Sequence, residues 1–372
     1  MAPIDLSMRQ KDGSVILVAG LFSLTTTVWA AAPSSGQDDI RERLRERFLQ
    51  RQLQGQQDPQ QQPQQPAQNG QQLQIPPAPQ QQQLASPSRV HQAAIEKSII
   101  GGIEVAIWRP TAARSQAGQT PVKLSNGAAS AQTARPTPAP LVIFSHGYRG
   151  TPTQSVALMN AMADAGYLVI APKHRDAIDA GHLGERLSVG FGRPQEWNKD
   201  SCAYRFEDVR TLLDALHKDP QWNSRIDWSR LALAGHSLGG YTVLGLAGAW
   251  PQWKTSGVKA VLALSPYTMP FQENGDLQHL GVPVMYQGGT ADFSITPFVK
   301  RRGGAFDQTA APVYFVDFEK ANHFSWTGLS KNADLSELIN HYCLAFLNKY
   351  VNGDPSAKPE VKLPGVVELE VK

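Results

Sequence analysis

Cysteine is nearly absent. The 372 residues hold only Cys202 and Cys343. Neither has a zinc-type spacing, so no thiolate metal site organises the chain. The elements that carry them are expected on opposite faces of a sheet, which makes them two separate thiols. Net charge is also small: 35 Lys and Arg against 32 Asp and Glu leave +3. That balance is too small to argue for nucleic acid or for an acidic partner. What remains is a chain that is 41% hydrophobic, enough for a sizeable core.

The composition is uneven along the chain. Residues 1–32 read as a secretory signal, with Arg9 and Lys11 before an apolar run from Val15 to Trp29 and an Ala30-Ala31-Ala32 cleavage site. No cysteine follows that run and no Arg-Arg pair precedes it, which excludes a lipoprotein anchor and twin-arginine export. The expected location is exported, periplasmic or secreted. Within residues 33–53, Ile40, Leu44 and Phe48 recur every four residues among Arg and Glu, the pattern of a short amphipathic helix. Such a helix is either solvated or makes a weak contact with the envelope through residues 38–53. Residues 54–92 are dominated by Gln and Pro and predict a disordered linker.

A folded domain is expected over 93–352, followed by a tail over 353–372. Short apolar runs recur at Ile103–Trp108, Leu141–Phe144, Tyr167–Ala171, Leu231–Ala234, Ala260–Leu264, Val282–Tyr286 and Val313–Val316. Helical patterns lie between them at 153–165, in a stretch capped by Ser201 with Phe206, Val209, Leu213 and Leu216 as its stripe, and at 334–350. Residues 111–138 read as a surface insertion. Strand and helix in alternation predict an α/β domain with a mostly parallel, doubly wound sheet. In such sheets the site lies at the C-terminal strand ends.

The chemistry-bearing residues collect there. Gly235-His236-Ser237-Leu238-Gly239 follows a strand and opens a helix. A serine on so sharp a turn needs small residues two positions away on each side. Asp292 stands just past the strand 282–287, and His323 just past the strand 313–318. An unassisted serine hydroxyl is a poor nucleophile. His323 would take its proton and return it to the leaving group, and Asp292 would fix the imidazole tautomer. Ser145-His146-Gly147-Tyr148-Arg149-Gly150 closes the first buried strand, so the backbone N–H groups of Tyr148 and Leu238 are the expected oxyanion hole. His146 and His236 are expected to be structural. Arg205 and Asp208, three apart, predict a local ion pair.

The run S-H-G-Y-R-G, the strand G-Y-L-V-I-A-P, the turn G-H-S-L-G-G and the loop from Asp292 to Pro297 resemble the secreted serine α/β-hydrolases of the cutinase, platelet-activating-factor acetylhydrolase and predicted dienelactone hydrolase group. Dienelactone hydrolases proper carry a cysteine where this chain has Ser237. The resemblance implies an α/β-hydrolase fold and a carboxylic-ester hydrolase acting on a small-molecule or polymeric ester. It also implies that no metal or organic cofactor takes part. An amidase or peptidase on the same scaffold, and a catalytically silent scaffold used for binding, are the alternatives. Leu183, Leu187, Phe191 and Trp197 on the loop 176–200 are expected to cover an acyl pocket, with Trp326 and Tyr267 as walls.

Overall fold

The computed structural model describes residues 95–111, 137–179 and 183–372. The expected leader, amphipathic helix and Gln/Pro linker lie outside these residues, as does most of the surface insertion. The strands β1 (Glu96–Ile100), β2 (Ile103–Trp108), β3 (Ala139–Ser145), β4 (Leu168–Pro172), β5 (Ile226–His236), β6 (Val258–Leu264), β7 (Val284–Gly289), β8 (Val313–Phe318) and β9 (Val366–Val371) form one sheet. Their order is β1-β2-β4-β3-β5-β6-β7-β8-β9. All neighbours from β4 through β8 are parallel, and β1, β2 and β9 join antiparallel. The mostly parallel sheet is the one expected from the alternation of strand and helix.

The central strands alternate which face they serve. Leu141 and Ile143 of β3, Leu231 and Leu233 of β5, and Val261 and Ala263 of β6 face one core layer. That layer is closed by the helices α2 (Ala203–Lys218) and α3 (Leu238–Leu244), through residues such as Val209, Leu212 and Tyr241. Val142, Phe144, Ala232, Ala234 and Leu262 face the other, under α1 (Val156–Asp164) and α4 (Ala333–Tyr350). A sheet covered on both faces needs apolar residues at every position, and these strands supply them. Each large side chain fully removed from water, such as Phe144, contributes about 1.5–3 kcal/mol. Cys202 lies in the first layer and Cys343 in the second, so the thiols are separated by the sheet. Burial pushes both up to about 12.

Two details differ from the sequence expectation. Residues 353–372 include β9, which pairs with β8 as the ninth strand. Ser201 does not cap α2: the cap is Cys202, in left-handed conformation, and the Ser201 hydroxyl instead accepts from the Asn198 N–H at 3.1 Å. Among the described residues no helix is long and apolar enough to cross a membrane.

Candidate active site

The turn between β5 and α3 carries Ser237 at φ 57°, ψ −117°, a conformation that L side chains rarely adopt. The crowding explains the glycines around it. A Cβ on Gly235 would sit 2.2 Å from the Gly239 carbonyl oxygen, and one on Gly239 would sit 1.9 Å from that of Ser145. Among the described residues five non-glycine positions have positive φ: Arg149, Cys202, Ser237, Ser265 and Lys320. Ser237, Ser265 and Arg149 all lie at this end of the sheet. Each such position stores on the order of 1–3 kcal/mol, which the surrounding packing must offset.

The three residues expected at the strand ends come together. The Ser237 hydroxyl lies 2.9 Å from His323 Nε2, and His323 Nδ1 lies 3.3 Å from Asp292 Oδ2. Asp292 and His323 are buried, while Ser237 is half-buried and reachable. Burial raises the Asp292 carboxyl, but the hydrogen bond and charge of His323, with the Ser265 hydroxyl, hold it below its ordinary value. It is therefore a carboxylate, and His323 Nδ1 carries the proton that faces it. Nε2 is then free to accept from Ser237.

Sequence reading missed Ser265, at the end of β6. Its hydroxyl donates to Asp292 Oδ2 and lies 2.7 Å from His323 Nδ1. The Nδ1–H is thus shared between Ser265 Oγ and the carboxylate, with the hydroxyl nearer. The only available signal was its position, on a strand end between those of Ser237 and Asp292.

The loop after β3 is held from behind by a fully buried cation. Arg205 donates to the carbonyls of His146 at 2.7 Å and Gly147 at 3.1 Å. Its guanidinium also grips Asp176 with two bonds, Nε at 3.0 Å and Nη2 at 2.6 Å. Asp176 in turn accepts the Arg149 N–H at 3.1 Å. Arg205 overcomes burial and holds the Asp176 carboxyl well below its usual range. This corrects the expected pairing of Arg205 with Asp208. Asp208 instead faces His174 Nδ1 at 2.9 Å. Among the described residues the N–H groups of Tyr148 and Leu238 have no internal partner; Leu238 is the first residue of α3, whose N–H has no preceding turn to bond.

His174 completes a second Ser-His-Asp arrangement, because its Nε2 lies 2.9 Å from Ser145 Oγ. Ser145 is 0% exposed, sits inside β3, and also lies 3.4 Å from an Arg205 nitrogen. No ester can reach it. Burial and strain separate the two serines: Ser237 stands on a turn at the surface of the site, Ser145 beneath its floor.

Both histidines that were expected to be structural are buried and bonded. His146 donates from Nδ1 to the Gly147 carbonyl at 2.8 Å and accepts the His174 N–H at Nε2, 3.1 Å. Burial and then Arg205 drive His146 and His174 well below their ordinary value, and burial with the nearby His323 lowers His236 to about 3. These rings are neutral in the folded chain but take protons in the unfolded chain below about pH 6.5. Asp208 works the other way, since burial raises it to about 6. Three withheld protons outweigh one, so stability is full near neutrality and is lost as pH falls below about 6.5. Each net proton removes up to about 1.4 kcal/mol per pH unit. Urea unfolding at pH 7, 5.5 and 4 is expected to give a steadily falling midpoint, and equal midpoints would contradict this.

The loop 176–200 partly meets its expectation. Phe191 packs edge-on to Tyr148 at 5.6 Å and to Tyr267 at 4.8 Å, and the Tyr267 hydroxyl donates to the Phe191 carbonyl at 2.8 Å. The Tyr267 N–H donates to the Ser237 carbonyl at 3.0 Å, which places this aromatic group beside the serine. Trp197 is buried against Phe191, but Leu183 is 74% exposed and covers nothing. Trp326 is no wall either. It is buried in the core layer under α1 and α4, with its indole N–H on Gln287 Oε1 at 2.8 Å.

Comparison with known proteins agrees with this geometry. The family model described as platelet-activating factor acetylhydrolase, isoform II, matches residues 108–182. A putative esterase, YitV, of Bacillus subtilis (strain 168) is 29% identical over 146 residues, 39% of this chain and 53% of that protein. Cutinase 2 of Thermobifida cellulosilytica is 26% identical over 217 residues, 57% of this chain and 69% of that protein. Cutinase cut1 of Thermobifida fusca is 26% identical over the same length, 57% of this chain and 56% of that protein. The chain thus spans between about half and two thirds of these relatives' lengths. Strand order and these likenesses give the α/β-hydrolase fold, and the resemblance to the cutinase and acetylhydrolase group is borne out.

Proposed function

We propose that the chain is a carboxylic-ester hydrolase that works through a serine acyl-enzyme. The observation that carries this reading is the 2.9 Å contact between His323 Nε2 and a reachable Ser237 on a strained strand-to-helix turn. Ser237 Oγ attacks the ester carbonyl carbon while its proton passes to His323 Nε2. The charge that develops on the carbonyl oxygen is met by the N–H groups of Tyr148 and Leu238, and removing one such donor typically costs about 2.7–4 kcal/mol of transition-state stabilisation. The intermediate collapses, the alcohol leaves with the proton from His323, and the acyl group stays on Ser237. Water then attacks that ester, giving its proton to His323, and the acid departs as His323 returns the proton to Ser237 Oγ. Asp292 and Ser265 hold the Nδ1–H throughout and stabilise the imidazolium. The aromatic rings of Tyr148, Phe191 and Tyr267 suit an apolar acyl group.

The relatives printed as esterase and cutinases support an ester, small or polymeric, over an amide. The leader-like residues 1–32 support export. Hydrolysis of p-nitrophenyl esters of two to twelve carbons, set beside the matching p-nitroanilides, tests the reaction class. Esters are expected to turn over and anilides to lag far behind. A folded chain that cleaves anilides as fast, or cleaves no ester, would overturn the reading.

A further inference from the structure

Four groups from three separate stretches of the chain are joined by one run of hydrogen bonds. The Gly147 N–H, beside Tyr148, donates to Gln154 Oε1 at 3.0 Å. Gln154 Nε2 lies 3.1 Å from His236 Nδ1, and His236 Nε2 lies 2.7 Å from the carbonyl oxygen of His323. The directions follow from what each end can do. A carbonyl oxygen only accepts, so His236 carries its proton on Nε2. In the neutral ring Nδ1 then only accepts, so Gln154 presents its NH₂ there. That leaves Oε1 for Gly147, whose N–H only donates. Every assignment is forced, and each bond of the run pairs a donor with an acceptor.

The same place is tied to the His323 loop a second time. The Gln154 carbonyl accepts the Gly328 N–H at 2.7 Å, and the Ser155 hydroxyl donates to the Trp326 carbonyl at 2.7 Å. The His323 loop is therefore held at the base itself by His236 and a few residues later by Gln154 and Ser155. Close approach matters here too: a Cβ on Gly147 would lie 3.3 Å from His236 Nδ1 and 3.5 Å from Gln154 Oε1.

We propose that Gln154 and His236 are positioning residues, a bridge that sets the placement of the general base His323 relative to Ser237 and to the oxyanion-binding loop. His236 is the last residue of β5 and leads directly into Ser237, so the bridge references the base to the nucleophile's own backbone. Neither side chain exchanges a proton with substrate; both act through the atoms they hold. The inference rests on the reading of Ser237 and His323 as nucleophile and base.

The test uses the full chain and the variants His236→Leu, His236→Gln and Gln154→Met. The readouts are kcat, KM, the melting temperature and the second-order rate at which a fluorophosphonate labels Ser237. A reaction sensitive to displacements of about 1 Å is expected to lose about 10- to 100-fold in kcat and in labelling rate in His236→Leu, with KM within about twofold. His236→Gln, whose amide still reaches the His323 carbonyl, is expected to return most of that loss. Gln154→Met is expected to slow both by about tenfold, although it touches neither reacting residue. Wild-type kcat and labelling in folded His236→Leu and Gln154→Met would overturn the bridge. So would equal losses in the Leu and Gln variants, which would mean that only packing matters. Labelling depends on Ser237 and His323 but on no particular ester. A chain that labels well yet cleaves no ester would end the ester reading while the variants still judge the bridge.

Discussion

Ser237→Ala is expected to lower ester turnover by about a millionfold, while Ser145→Ala leaves it within about tenfold of the wild type. The two serines have similar partners, a histidine nitrogen 2.9 Å away and a carboxylate behind the ring. Their surroundings decide between them. Ser237 sits on a turn at φ 57° and is half-buried, whereas Ser145 is sealed in β3 with Arg205 at its side. Ser145→Ala leaves His174 Nε2 without its hydroxyl, a buried unpaired group that costs about 1–3 kcal/mol of stability. Initial rates on a p-nitrophenyl ester and urea unfolding of both variants separate these effects. Comparable loss of activity in the two would place the chemistry at the wrong serine.

Arg205→Met is expected to lower the unfolding free energy by about 3–5 kcal/mol. Arg205 and Asp176 are both 0% exposed, so the substitution leaves a carboxylate in the interior with only the Arg149 N–H. It also strips the donors from the carbonyls of His146 and Gly147. The sign has a second check in the pair. Arg205→Met with Asp176→Leu removes the stranded charge and is expected to recover part of the loss, because a buried ion pair often contributes little beyond an apolar pair of similar volume. The loop proposed to bind the oxyanion stays without its clamp, so activity is expected to remain low even where stability returns. Urea unfolding and kcat on the single and double variants measure both. A single variant within about 0.5 kcal/mol of the wild type would show that Asp176 is satisfied in another way.

The parts legible in the sequence are those set by local pattern. Leu141–Phe144 and Leu231–Ala234 read as buried strands because nothing polar interrupts them, and the Gly235-to-Gly239 turn reads as strained because only glycine fits beside such close backbone contacts. Asp292 and His323 followed from the rule that polar groups on strand ends of a parallel sheet converge. What stayed hidden is set by distant partners. Arg205 and Asp208 have the spacing of a helical ion pair, but Asp176, 29 residues earlier, lies under the same loop carbonyls and takes the guanidinium. His236 finds its acceptor 87 residues away, and Gln154 its acceptor 82 residues away. Ser265 reads as a turn before Pro266, with nothing local to mark its contact with His323. The edge strands β1 and β9 were missed because their exposed, charge-bearing runs, E-K-S-I-I and V-V-E-L-E-V, lack the apolar continuity of the central strands.

The most direct test of the account is to find which atom becomes modified when a fluorophosphonate inactivates the full chain. Stoichiometric labelling, digestion and mass spectrometry should place one phosphonyl group on Ser237, with Ser145 unmodified. A label on Ser145, or full inactivation with Ser237 untouched, would contradict the proposed active site.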